Sequence, residues 1–149
     1  MWKKAVSGKK KWYELHFGDM AVVIQGTKTY NPLYELKSPK CGLKQIHSRV
    51  IHRAAPDGKF TGDGLYTRDN RLIMYVKTAD CLPVIFYNYE KNILGIIHAG
   101  WRGTLLGISR KFVVEMKALF GVRKWSVAFG PSIEPEKYEV GEEAFRLFE

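Results

Sequence analysis

The chain has 149 residues, a net charge of +9, and 46% hydrophobic and 13% aromatic content; this fits one globular domain with a core and excludes a disordered or collagen-like chain. No apolar stretch approaches the roughly eighteen residues that span a bilayer, and the basic start lacks the apolar run and cleavage site of a secretory signal, so a soluble, cytoplasmic protein with no membrane partner is expected. Five lysines lie in the first eleven residues; with no nucleic-acid-binding motif beside them they read as a solvated terminus, and the positive surface would draw in an anionic substrate such as phosphate.

In chain order, residues 20–25 form a short β-branched run closed by Gly26 and read as a strand. Pro32, Pro39 and Gly42 make 27–42 mostly loop. A strand over 43–51 is expected to end near His47, followed by turns at Pro56-Asp57-Gly58 and Gly62-Asp63-Gly64 and a strand over 72–76. The runs 82–87 and 93–97 flank a short polar segment and read as a β-hairpin. A loop of two or four residues gives pair sums of 179 or 181, which places Cys81 opposite His98 or one diagonal step away on the same face, whereas a three-residue loop puts them on opposite faces unless a bulge corrects the register. Pro83 is expected to disturb the first rungs. Leu105, Ile108, Phe112, Met116, Leu119 and Phe120 then follow helical spacing up to Gly121. Residues 125–129 read as a strand, and Val140, Ala144, Leu147 and Phe148 open a second amphipathic helix. Nothing divides the chain, so a single domain over 1–149 is expected.

With only Cys41 and Cys81, a disulfide framework is not expected and a metal-binding or reactive thiol gains weight. His47, Cys81 and His98 each stand beside small or turn-forming residues at the end of an apolar run. Two imidazoles and a thiolate make a three-ligand zinc site with a position left for chemistry; a buried apolar cysteine and hydrogen-bonded structural histidines are the ordinary alternative. Asp80 reads as a group orienting a ligand histidine, as an acid or base, or as a turn cap. Gly100-Trp101-Arg102-Gly103 links strand to helix, where Arg102 offers a bidentate contact to phosphate or carboxylate, or a surface ion pair.

Taken together, Gln45-Ile46-His47, Thr78-Ala79-Asp80-Cys81-Leu82-Pro83-Val84, His98-Ala99-Gly100-Trp101-Arg102-Gly103-Thr104 and Gly130-Pro131-Ser132-Ile133 with Tyr138-Glu139-Val140-Gly141 resemble one family. It is the family long called multicopper polyphenol oxidase or laccase-domain protein, later recognised as purine nucleoside phosphorylases with adenosine deaminase activity. The resemblance covers about residues 43–149, and the chain reads as shortened at both ends. Glu136 and Lys137 stand where the family usually carries cysteines. The resemblance implies an α+β fold of mixed sheets packed with helices, related to deamidase toxins. It implies zinc on His47, Cys81 and His98, and a further acidic position at Asp63. It also implies phosphorolysis of adenosine, inosine, guanosine or methylthioadenosine, and deamination of adenosine. Arg102, with Arg49 second, is the expected phosphate holder, and Asp80 is expected either to orient a ligand or to transfer a proton. A shortened domain would expose apolar surface, which favours a homo-oligomer.

Three other readings compete. A metal-free amidohydrolase would use Cys81 as nucleophile and His98 as base. A copper oxidase needs several coppers and more than the four histidines present. A non-catalytic basic module would bind nucleic acid steeply with salt and turn over nothing.

Overall fold

The computed structural model describes residues 1–19 and 21–148, in two compact units, Met1–Ser38 and Pro39–Glu149. In the first, β1 (Lys3–Ser7), β2 (Lys10–Phe17) and β3 (Ala21–Gln25) form an antiparallel meander. The lysine-rich start is therefore a β-hairpin rather than a tail: Gly8 takes the left-handed conformation that the turn requires, and Lys3, Lys4, Lys9, Lys10 and Lys11 remain exposed. Lys10 pairs with Glu35 and stands over the Tyr30 ring. The expected strand 20–25 is β3, its first residue lying outside the described residues.

Among its described residues the second unit holds two sheets and three α-helices. β4 (Lys40–Lys44) lies between β6 (Lys59–Thr61) and β8 (Ile73–Met74), parallel to both. The larger sheet has the order β11 (Ser126–Phe129), β9 (Leu82–Asn88), β10 (Ile93–Ala99), β7 (Gly64–Thr67), β5 (Ile51–Arg53). Only β5 and β7 pair in parallel there. The expected single strand over 43–51 is thus two strands in different sheets, joined by a loop at 45–50.

The β9–β10 hairpin has a four-residue loop, 89–92, and its register pairs Ile93 with Asn88 and His98 with Pro83. Those sums of 181 put Cys81 one diagonal step from His98, on the same face. Pro83 does not break the ladder, which continues to Leu82 and Ala99. In an antiparallel strand the N–H and C=O of one residue point to the same side. The Pro83 carbonyl accepts from Gly130 N–H at 2.9 Å, so its missing donor faces the β11 side, where pairing is already ending, and β10 loses nothing.

The expected long helix is two: α1 (Trp101–Leu105) and α2 (Ile108–Phe120), broken at Gly107, whose φ of 71° is left-handed. α2 buries Ile108, Phe112 and Met116 completely against Val84, Phe86, Ile93 and Ile97 of the sheet. Leu105 and Leu119, expected on that face, are exposed. Phe112 is the centre of this layer: it stacks on Phe86 at 4.6 Å, tilts against Trp125 at 5.4 Å and fills the space above Gly95. The second amphipathic helix is α3 (Glu142–Arg146), in which only Ala144 is buried.

Because Phe112 is fully buried and in contact with Phe86, Trp125 and Gly95, Phe112→Ala should cost about 3–5 kcal/mol of unfolding free energy. Urea titration followed by tryptophan fluorescence measures it; a cost below about 1 kcal/mol would show that the layer collapses around the cavity.

Candidate metal centre

The loop at 45–50 leaves the strand direction because of one side chain. Asp63, between β6 and β7, is fully buried, and its carboxylate collects Ile46 N–H at 3.3 Å, His47 N–H at 3.1 Å, Ser48 N–H at 2.6 Å and the Ser48 hydroxyl at 2.7 Å. Winding three successive amides around one carboxylate bends the chain, and His47 takes a φ of 58°. That conformation is uncommon outside glycine and persists where its surroundings hold it. The same carboxylate bonds His98 Nδ1 at 2.8 Å, while the Asp63 carbonyl accepts the His98 N–H at 2.8 Å. Burial alone would raise the Asp63 pKa, but the His98 and Ser48 hydrogen bonds prevail and hold it below the ordinary carboxylate value.

With Nδ1 engaged by Asp63, Nε2 is the ring nitrogen of His98 that remains to meet a ligand. His47 reaches the same place from the loop, its ring 4.9 Å from that of His98. Cys81 arrives from the residue before β9, with Sγ 4.0 Å from His47 Nε2. One ligand atom from each of His47, Cys81 and His98 lies within 4.8 Å of the others. Tetrahedral zinc with bonds of about 2.0–2.3 Å requires ligand atoms somewhat closer than that, so a small inward movement suffices.

Gly100 keeps this space open. A Cβ there would stand 2.8 Å from His47 Cδ2 and 2.9 Å from Cys81 Sγ, so any side chain would push between the two. The donor set, one thiol and two imidazoles, is borderline-soft and suits zinc or copper more than magnesium or calcium. Burial raises the Cys81 pKa, and the Asp80 and Asp63 carboxylates raise it further.

Of the other candidate residues, Asp80 is exposed, and its carbonyl accepts Ile133 N–H at 3.0 Å. The carboxylate bonded to a histidine of the cluster is that of Asp63, which is fully buried. Arg102 is exposed, its guanidinium 4.9 Å from the Trp101 ring centre. Arg49 is exposed too, its carbonyl held by Lys111 at 3.1 Å. The segments bearing the two arginines meet where a Cβ on Gly103 would lie 3.1 Å from the Ser48 carbonyl. Cys41 is buried away from the cluster, and His52 bonds the Thr61 carbonyl at 2.9 Å. Tyr138 is a neighbour that sequence reasoning treated only as part of a motif. Its hydroxyl is raised in pKa by burial and by Cys81. The tyrosine in Tyr138-Glu139-Val140-Gly141 was the available signal.

Mixed sheets carrying a His-Cys-His cluster at their edge define an α+β protein of the laccase-domain class. The family described as multi-copper polyphenol oxidoreductase laccase matches residues 14–149, and the chain belongs to it. A purine nucleoside phosphorylase of Clostridium acetobutylicum is 38% identical over 110 residues, 72% of this chain and 47% of that protein. An adenosine deaminase, RL5, from an unknown prokaryotic organism is 38% identical over 87 residues, 58% of this chain and 33% of that protein. Among solved structures, the Neisseria meningitidis protein NMB0706 superposes with a TM-score of 0.70 at 26% identity, covering 99% of this chain and 69% of that one. YlmD from Geobacillus stearothermophilus gives 0.69 at 26% identity, covering 74% and 46%. The chain spans less than half the length of the Clostridium relative. Among the described residues no helix is long and apolar enough to cross a membrane.

Replacing Asp63 with asparagine puts an amide donor among N–H groups that need acceptors. Asp63→Asn should lower the unfolding free energy by about 2–4 kcal/mol and speed hydrogen exchange at the amides of 46–48. Unchanged protection at those amides would show that the carboxylate does not hold the loop.

Proposed function

We propose that this chain is a zinc-dependent purine nucleoside phosphorylase that also deaminates adenosine. The observation that carries the reading is the convergence of His47, Cys81 and His98 on a space that Gly100 leaves open. The names of the relatives supply the substrate class. Zinc on these three residues supplies Lewis acidity at a position open to substrate.

In phosphorolysis a phosphate oxygen bonds C1′ of the ribose as the glycosidic C–N bond breaks. The purine leaves with the electron pair and gains a proton, giving free base and ribose 1-phosphate. The chain must therefore hold a phosphate dianion and deliver a proton. Arg102, braced by Trp101, and Arg49, on the loop fixed by Asp63, are the phosphate holders we assign. Asp80, exposed beside Cys81, is the proton-transfer group. In deamination, water replaces the amino group of adenosine and ammonia leaves, so phosphate is not consumed. Adenosine, inosine, guanosine and methylthioadenosine are the substrates to be compared.

One observation favours a second reading. The Asp63–His98 bond also resembles the orienting contact of a Cys-His-Asp hydrolase, with Cys81 as nucleophile and no metal. Against it stands the raised Cys81 thiol, since a nucleophilic cysteine needs a lowered pKa.

Elemental mass spectrometry of the purified protein should find about one zinc per chain, lost in Cys81→Ala and much reduced in Gly100→Ala. Loss of adenosine phosphorolysis on chelation, restored by zinc, would accompany it. Chelator-resistant activity abolished by thiol alkylation would overturn the zinc reading in favour of the hydrolase. A second measurement separates the two chemistries: Arg102→Ala should lower phosphate-dependent release of base at least tenfold while changing adenosine deamination far less. An equal loss of both would remove Arg102 from the phosphate site.

A further inference from the structure

The chain reaches Cys81 through a segment with few restraints. β8 leaves the β4 ladder after Cys41 and Met74, and the last main-chain bond is Tyr75 N–H to the Cys41 carbonyl at 3.1 Å. There the Tyr75 ring lies over Gly42, where a Cβ would stand 2.3 Å from Cζ. The strand expected over 72–76 is only Ile73–Met74. The next restraint on this segment is at the other end, where Ile133 N–H meets the Asp80 carbonyl.

Between those points Gln45 intervenes. Its Nε2 donates to the Lys77 carbonyl at 2.7 Å, and its Oε1 accepts the Lys77 N–H at 2.8 Å. A primary amide offers a donor and an acceptor side by side, as a backbone peptide does, and here it takes the place of the strand partner that is no longer there. The two Lys77 groups also fix which end of the amide is oxygen. Among the described residues, this is the hydrogen bonding that ties 76–79 to the rest of the fold. Gln45 stands two residues before His47, and Lys77 four residues before Cys81.

We infer that Gln45 is a positioning residue that sets the spacing between the His47 loop and the Cys81 segment, and so fixes how closely their ligand atoms approach. The inference rests on the zinc reading for its consequence, since the spacing then decides metal affinity. Asp63 fixes both histidines; Gln45 brings the thiol to them.

The test compares wild type with Gln45→Glu, which keeps the shape and loses the donor, and Gln45→Leu, which loses both bonds. Zinc affinity is read by competition with a chromophoric chelator, hydrogen exchange at the Lys77 amide by NMR, and iodoacetamide alkylation of Cys81 in the metal-free protein. Cys41 is buried and Cys81 partly open, so alkylation reports mainly on Cys81. The expected result is zinc binding about tenfold weaker or more in Gln45→Leu, smaller weakening in Gln45→Glu, faster Lys77 exchange and faster alkylation in both. Equal zinc affinity in all three proteins overturns the inference. If wild type binds no zinc, the metal reading fails, and the other two readouts decide Gln45 alone: faster exchange and alkylation support its positioning role, and wild-type rates overturn it. If Gln45→Leu does not fold, Gln45→Glu decides on the same terms.

Discussion

A carboxylate placed fully inside a protein must be given hydrogen-bond donors or lose its charge, and Asp63 is given five. The donors come from two places far apart in sequence, the loop at 46–48 and the end of β10. Satisfying the charge therefore forces these two places together. The loop must curl for its amides to point inward, and His98 must present Nδ1–H. Both histidines of the cluster are in this way placed by one buried charge, and one ligand atom from each lies within 4.8 Å of the Cys81 sulfur. The site is built by electrostatic necessity on its inner side and left open on its outer side, where Gly100 removes the side chain that would close it.

The contrast between Asp63 and Asp80 follows from surroundings rather than from residue type. Asp63 has no contact with water and no free lone pair to offer a substrate. Asp80 is exposed and linked to the fold through its own carbonyl, so its carboxylate stays available. Together they act on Cys81 in one direction, each making the thiolate harder to form. A cation at the cluster reverses that balance, because it favours the thiolate that the two carboxylates oppose.

Much of this was legible in the sequence. The hairpin of β9 and β10 followed from two apolar runs; whether Cys81 and His98 share a face hung on the parity of its loop, which the four-residue connection decides. The three candidate ligands and the α+β class were legible through motif order. What was not legible depends on contacts between distant residues. Nothing near Leu43 shows that the chain will stop being a strand at Gln45, because the cause is a carboxylate eighteen residues later. Nothing in the helical spacing shows that Leu105 is cut off by Gly107, since an isolated glycine inside such a pattern is often tolerated. Asp80 was one candidate partner for a histidine of the cluster because it stands next to Cys81; the carboxylate that bonds His98 is thirty-five residues away in sequence. The role of Gln45 was hidden for the same reason, its partner being Lys77.

The sharing of one carboxylate by two histidines has a consequence for how such a site can be lost. A metal centre whose ligands are oriented independently can decay in steps, each weaker intermediate still exposed to selection. Here a single base change in the Asp63 codon disturbs the placement of His47 and His98 together, while both histidines and Cys81 remain in the gene. A substitution at Asp63 would therefore leave the His-Cys-His triplet intact in the sequence while removing the contacts that place both histidines.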